Sequence, residues 1–536
     1  MPLTVGSGHA IVARTLQYNK MATYCRRVLT SQIRHEYKNR RTKAMMATIQ
    51  SSDLPLNENE TKSFEQIPGP PSVPIVGGLF NHLPLGEFHG KTPKQVFEMC
   101  RKKYGNIYKE KIFHFSFVHL FDPNDFETVF RSDDKYPVRE AFMTLAHYNK
   151  KYNADIQGIV TSQNESWHEL RSKFQRQMLR PKAVTAYFDN HAKVADELVE
   201  KISLIQDGGI VDDLRGDFDK FAMECVGLVC FNKKFDLLLS KEESEESRQF
   251  FEAVNVIMQT SHHEFKRPPL YLLFETPSFK KFVRAQNVIK DIATRYCKHA
   301  LAKLEKESSV DGEHGDLIPY LMSKTSLSAE KVFTVISELI FVGVDTTSHH
   351  LSFMMYLLGT HPDVQEKLYR EISSFVSGQN PVTVEGIEQM SYLKAIDKEV
   401  HRLLPVATGT IRKLKQDVEL QGYHIPAGTI VALHGGISGI DENNFRDAEA
   451  FKPERWLREE AERKNIHPFA TIPFGFGPRS CIGKRFAEQE TFLATIKILQ
   501  KYKVEYVGDE LKLDYGVTVA PINKMRFKFT PRIACN

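Results

Sequence analysis

Tryptophan is nearly missing from this chain: two residues in 536, against thirty-six phenylalanines, which points to a large apolar interior. Cysteine is sparse as well. The seven residues, Cys25, Cys100, Cys225, Cys230, Cys297, Cys481 and Cys535, are odd in number and scattered, and no C-x-x-C occurs. That argues against a disulfide framework or a zinc ribbon and fits a reducing compartment. The first fifty residues lack a run of 18 apolar residues, which disfavours a membrane-spanning anchor, and they show no secretory apolar segment. No internal repeat and no long linker breaks the body. One large domain is therefore expected, although the length exceeds the usual single-core size.

Acid is what the first fifty residues lack most. They hold nine Lys and Arg against Glu36 alone, a net +8 in a chain of net +5, so the remainder carries −3. A basic leader rich in Arg, Ser and Thr over residues 1–50 reads as a mitochondrial targeting segment. The alternative is a disordered basic tail. Residues 51–66 read as a flexible linker. Order is expected from Ile67-Pro68-Gly69-Pro70-Pro71, where proline fixes an extended entry, so the folded domain is 67–536.

Thr92 to Tyr104 reads as a helix, and Ile107–Lys111 and Phe117–Phe121 as strands. Helical periodicity dominates from about residue 165 to 405, and strand signals return near 410–433 and 502–530. The class is mainly α with small β-sheets. Ser328 is positioned to cap a long helix from Ala329 to Leu358, with Gly359 and Pro362 ending it. Inside it, Gly343-Val344-Asp345-Thr346-Thr347 is poor helix-interior chemistry. Glycine costs about 1 kcal/mol there relative to alanine, and threonine bonds back to a carbonyl one turn earlier. The expectation is a weakened helix with room for a small ligand. The alternative is a threonine-rich kink with no catalytic duty.

The most specific stretch is Phe474-Gly475-Phe476-Gly477-Pro478-Arg479-Ser480-Cys481-Ile482-Gly483. Its glycines let the backbone approach a flat partner. Arg479 is placed to neutralise an anion or stabilise a thiolate. Such a loop, opening a helix, presents one thiolate to a metal; the alternative is a buried structural cysteine. The pattern F-x-x-G-x-R-x-C-x-G resembles the haem-binding loop of the cytochrome P-450 family. The resemblance covers roughly residues 67–530. It implies an α-rich cytochrome P-450 fold enclosing haem b, with Cys481 as axial thiolate and Phe474, Arg479 and Gly483 as cofactor contacts. It also implies a monooxygenase that takes O2 as co-substrate and oxygenates a lipophilic, sterol-like or foreign compound. The segment around Asp345 and Thr346 resembles the family's oxygen-binding motif, so that pair is expected to deliver protons. Val342 departs from the family's usual Ala or Gly and is expected to narrow the pocket.

Glu399 and Arg402 stand at i, i+3 on an amphipathic helix, Tyr392 to Leu404, and so share a face. With Pro453-Glu454-Arg455-Trp456 they resemble two further family elements, which implies a buried triad of Glu399, Arg402 and Arg455. Trp167, Arg171 and Arg412 match propionate-binding positions, and the planar guanidinium suits a carboxylate. Lys394 and Lys398, at i, i+4, join Lys484 and Arg485 in a basic patch. The patch resembles mitochondrial members, in which such lysines bind a 2Fe–2S ferredoxin that is reduced by an NADPH-dependent reductase; an ordinary solvated face is the alternative. This implies a mitochondrial location on the matrix side of the inner membrane. The apolar loop from Pro268 to Phe274 either dips into a membrane surface or packs on the core. No nucleic-acid partner is expected. Two rival readings are a haem-thiolate isomerase or dehydratase of oxygenated lipids and a non-enzymatic haem-binding protein. Asp345, Thr346 and the basic patch argue against the first, and the second would leave the proton-delivering residues without a purpose.

Overall fold

The computed structural model describes residues 61–532, apart from 74–76, 85, 113–114, 241–243, 268, 307–316, 377–380 and 461. The predicted leader and residues 51–60 lie outside the described residues. The strands are β1 (Ile107–Ile112), β2 (Phe115–Leu120), β3 (Ile210–Val211), β4 (Thr410–Lys413), β5 (Val418–Leu420), β6 (Tyr423–Ile425), β7 (Ile430–Leu433), β8 (Tyr502–Tyr506), β9 (Leu513–Tyr515), β10 (Val519–Pro521) and β11 (Phe527–Pro531). Among the described residues they form small sheets ordered β1-β2-β7-β4, β3-β11-β8, β5-β6 and β10-β9. The helices that frame the site are α1 (Pro93–Tyr104), α2 (Asn164–Leu179), α3 (Phe188–Ile205), α4 (Arg215–Phe231), α5 (Glu245–Phe265), α6 (Ala329–Thr360), α7 (Ser391–Leu403) and α8 (Lys484–Lys501). The α-rich class with small sheets is the one expected from the sequence. Thr92 starts α1 with a capping box: its hydroxyl accepts from Gln95 N at 3.3 Å, and its own N–H donates to Gln95 Oε1 at 2.9 Å.

Order sets in before Ile67. The Lys62 N–H donates to the Gly422 carbonyl at 2.9 Å, its carbonyl accepts from His424 N at 2.9 Å, and Phe64–Gln66 forms a 3-10 turn. Residues 61–66 of the predicted linker are therefore ordered. Their polar composition hides a segment held by backbone bonds to the β5-β6 hairpin.

Helix α6 organises the interior. The Ser328 hydroxyl caps it by accepting from Lys331 N at 3.3 Å. Its upstream half, from Val332 to Val344, packs into one apolar cluster with Trp167, Val226 and Phe486. Its downstream half, from Leu351 to Leu358, packs into another with Phe218, Leu493 and Phe527. Thr346 and Thr347 fall at the seam. Gly359, expected to end the helix, lies inside it; a Cβ there would meet Tyr506 N at 2.8 Å, so the glycine serves close approach to β8. Gly343 has a similar reason, because its Cβ would meet Val226 of α4 at 2.8 Å. The helix runs unbroken through the segment expected to weaken it.

A buried carboxylate on α6 pins the segment entering α2. Glu338 accepts from Val160 N (2.7 Å), Thr161 Oγ1 (2.7 Å), Asn149 Nδ2 (3.1 Å) and Gly158 N (3.2 Å). A Cβ at Gly158 would lie 2.3 Å from this carboxylate. Gly158→Ala is expected to lower stability by about 1–3 kcal/mol, the typical penalty of overpacking. Gly216→Ala, whose Cβ meets nothing within 4 Å on α4, is expected to be neutral or stabilising. Urea midpoints of the two variants compare them; equal midpoints would contradict the clash.

Candidate functional site

The cysteine loop is a tight backbone turn. Gly475 and Gly477 take φ of +66° and +72°, the left-handed region that favours glycine. The Cys481 N–H donates to the Phe474 carbonyl at 2.8 Å, and Ser480 N to that of Gly477 at 3.0 Å. Gly483 is the N-cap of α8, which starts at Lys484. The thiol therefore sits at a helix N-terminus, where unpaired N–H groups favour an anion. Cys481 is accessible, yet it lies deep in the fold; the surface it exposes is the wall of an internal cavity. Burial raises its thiol pKa, while the N–H groups of Gly483 and Lys484 and the Arg171 and Arg139 guanidinium groups oppose that rise.

Four arginines converge on the same cavity: Arg139, Arg171 on α2, Arg412 on β4, and Arg479. The sequence reading named three of them. Arg139 was missed because Lys135-Tyr136-Pro137-Val138-Arg139-Glu140 reads as a charged surface loop. Arg412 Nε donates to Asp133 Oδ2 at 2.8 Å. Arg479 donates from Nε to the Pro137 carbonyl at 3.1 Å and from Nη2 to the Ser162 carbonyl at 2.7 Å, and its guanidinium lies 4.1 Å from the Trp167 ring centroid. Asp133 is the only carboxylate bonded to any of the four among the described residues. Burial, aided by Arg139, Arg412 and Arg171, pushes Arg479 down to about 8. Burial with Arg412 lowers Arg139 to about 10. Nε of Arg139, Nε of Arg171 and Nη1 of Arg479 are buried without a hydrogen-bond partner. This surplus of desolvated cations with free donors fits a bound dianion. A thiol, four arginines and apolar walls together fit a haem with its two propionates.

Helix α6 lines the same cavity through Val342, Gly343, Thr346 and Thr347. Thr346 Oγ1 donates back to the Val342 carbonyl at 2.8 Å, as expected for a helical threonine. Asp345 does not line this cavity. Its Oδ2 accepts from Thr518 Oγ1 at 2.6 Å and lies 3.4 Å from His349 Nδ1. The structure thus separates the two residues the sequence reading had paired.

Glu399, Arg402 and Arg455 meet with fully buried side chains. Arg402 grips Glu399 through Nε (2.9 Å) and Nη2 (2.7 Å), and Arg455 Nε reaches Oε1 at 3.0 Å. A member the sequence reading missed completes the cluster: Trp456 Nε1 donates to Glu399 Oε2 at 2.8 Å. A second buried group also went unmarked. His350 and Asp397 bond at 2.8 Å, and His401 stacks on His350 and meets the Phe474 ring edge-on at 4.9 Å.

Lys484 and Arg485 directly follow the cysteine loop, and Lys398 feels the charges of Lys484 and Arg463. Lys484 Nζ lies 5.5 Å from the Phe474 ring and 3.7 Å from Glu488 Oε1. Lys398 lies 5.8 Å from the Trp456 ring, and burial, with Arg463 and Lys484, lowers its pKa. Arg463 therefore belongs to the patch as well. Arg485 is exposed, and Lys394, one turn before Lys398, donates to the Glu388 carbonyl at 2.6 Å.

The family profile described as cytochrome P-450 matches residues 67–529. The chain belongs to the cytochrome P-450 family. As a cytochrome P-450 it is a monooxygenase that uses haem b and O2. It is similar to cytochrome P-450 10 of Lymnaea stagnalis, 31% identical over 88% of this chain and 87% of that protein. It is also similar to the mitochondrial 1,25-dihydroxyvitamin D(3) 24-hydroxylase of Mus musculus, 31% identical over 89% of this chain and 91% of that one. A third relative, probable cytochrome P-450 301a1, mitochondrial, of Drosophila melanogaster, is 29% identical over 87% of each. Several relatives of this P-450 are thus of mitochondrial type.

Proposed function

We propose that this cytochrome P-450 works in the mitochondrion and oxygenates a lipophilic, sterol-like or foreign substrate with electrons from a 2Fe–2S ferredoxin, itself reduced by an NADPH-dependent reductase. The basic patch beside the cysteine loop carries the reading: Lys394, Lys398, Arg463, Lys484 and Arg485 stand out on a body of net charge −3. Such a patch steers an acidic donor to the thiolate side. The acid-poor leader and the mitochondrial names of several relatives support it.

Haem, when bound, supplies the oxygen chemistry, in which one atom of O2 enters a C–H bond and the other leaves as water. The chain's residues do the rest. Cys481 holds the iron as thiolate, stabilised by the N–H groups of Gly483 and Lys484. Arg139, Arg171, Arg412 and Arg479 hold the propionates, and Trp167 orients Arg479. Phe474 and Gly483 shape the loop, and Glu399, Arg402 and Arg455 fix the core beside it. Thr346 offers its hydroxyl at the far wall and Asp345 supplies the proton. Val342, on the same wall, narrows the space for substrate.

Membrane contact falls to the segment after α5. Leu273 is 82% exposed, Leu270, Leu272 and Phe274 are about half exposed, and Tyr271 is buried as an anchor. An exposed apolar patch of this kind suits a peripheral hold on a bilayer. No helix of the described residues is long and apolar enough to cross a membrane.

Charge reversal tests the donor. Lys398→Glu with Lys484→Glu is expected to raise the KM for ferredoxin about tenfold or more at low salt and leave kcat nearly unchanged. The gap should shrink as salt rises. Turnover with a diflavin reductase and none with ferredoxin and its reductase would overturn the proposal.

A further inference from the structure

A polar chain leads from Asp345 toward the surface, across three elements. Thr518, just before β10, donates from Oγ1 to Asp345 Oδ2 at 2.6 Å, and His262 of α5 meets the same hydroxyl through Nε2 at 2.9 Å. The three residues come from distant parts of the chain. The hydroxyl can accept from the imidazole N–H while donating to the carboxylate. His262 is half-buried. Its Nδ1 lies over Gly516, where a Cβ would come within 2.5 Å, and bonds to no described residue. Any side chain at 516 would collide with that nitrogen.

We propose that His262 and Thr518 are the proton entry of this enzyme, positioning residues that recharge Asp345 from solvent. The proposal rests on the reading of Asp345 and Thr346 as the proton-delivering pair. The balance is simple. His262 takes a proton from hydronium at Nδ1, leaving water; the imidazolium passes its Nε2 proton to Thr518 Oγ1 as the Thr518 hydroxyl proton passes to Asp345 Oδ2, and the neutral ring returns to its starting tautomer by proton exchange with solvent. No electron moves. Rotation of the Asp345 side chain away from Thr518 then brings the proton toward Thr346, its neighbour on α6. His349 is the second group against Asp345, at 3.4 Å. The charges around the path are Asp345 and His349 on α6, Asp514 on β9, Lys266 at the C-cap of α5, and Asp219 with Arg215 on α4. Asp345 and Asp514 favour the protonated imidazole; burial, His349 and Lys266 oppose it.

The test uses the full-length holoenzyme with a substrate identified by spin-state change. Thr518→Val removes only the bridging hydroxyl, and His262→Phe only the titrating ring. Each is expected to raise peroxide released per product about tenfold, within the range of general acid–base effects, and Thr518→Ser to restore the wild-type ratio. A second readout needs no turnover. In the ferric protein the NMR titration of the His262 ring should move to lower pH in Asp345→Asn, because the carboxylate favours the charged ring. If Asp345→Asn uncouples but Thr518→Val and His262→Phe do not, the entry path is wrong and the role of Asp345 stands. If Asp345→Asn itself leaves coupling unchanged, the underlying reading fails. An unmoved His262 titration would overturn the link between the ring and Asp345.

Discussion

Cys481→Ala is expected to abolish product formation while leaving a folded chain that still takes up haem. The loop does not depend on the sulfur: the Cys481 N–H to Phe474 carbonyl bond and the two left-handed glycines set its shape. The arginine cluster proposed to hold the propionates is likewise untouched, since Arg139, Arg171, Arg412 and Arg479 come from outside position 481. What would be lost is the thiol proposed to hold the iron, a ligand type whose electron donation would favour oxygen activation. Haem content, urea midpoint and turnover measured on one preparation separate these effects. Retained turnover would remove Cys481 from its role. Loss of folding would show that the side chain, and not the backbone, builds the loop.

Arg402→Leu is expected to prevent accumulation of folded protein. Arg402 is buried and fully engaged, giving two bonds to Glu399 and others to the carbonyls of Gly439 (2.8 Å), Ala450 (2.8 Å) and Ala448. Leucine would leave those carbonyls unpaired and weaken the neutralisation of Glu399, which Arg455 alone would then face. Breaking a buried pair in this way costs about 3–5 kcal/mol, against a typical total stability of about 5–15 kcal/mol. Arg402→Lys is expected to fail as well, because an ammonium point charge cannot span carbonyls and carboxylate as the planar fork does. Soluble yield and denaturant midpoint are the readouts. A lysine variant as stable as wild type would show that charge, and not the fork, matters here.

How much of this was legible in the sequence depends on how local each signal is. The helix beginning near Thr92, the Ser328 cap and the cysteine loop are set by neighbours a few residues apart, and the structure places them as the sequence implies. Glu399 and Arg402 share a helix turn, so their pairing was readable; Trp456 was not, because an indole N–H does not reveal its acceptor. Arg139 sits among charged residues and becomes buried only through tertiary packing. The direction of Asp345 was hidden for the same reason: Thr518 reaches it from a remote segment, and His262 reaches Thr518 from another. Gly343 and Gly359 looked like helix weaknesses, and each is instead a point of close approach, to α4 and to β8. Composition misjudged residues 61–66, whose order comes from backbone bonds that any sequence can make.

The measurement that bears most directly on the account is the absorption spectrum of the reduced carbon-monoxide complex of the full chain. Cys481, set just before α8 beside Arg139 and the buried Arg171, Arg412 and Arg479, is expected to give the red-shifted Soret band of a haem bound through thiolate, with wild-type protein and not with Cys481→Ala. An unshifted band in freshly prepared, folded wild-type protein would mean that a different ligand holds the iron, and would contradict the site built around Cys481.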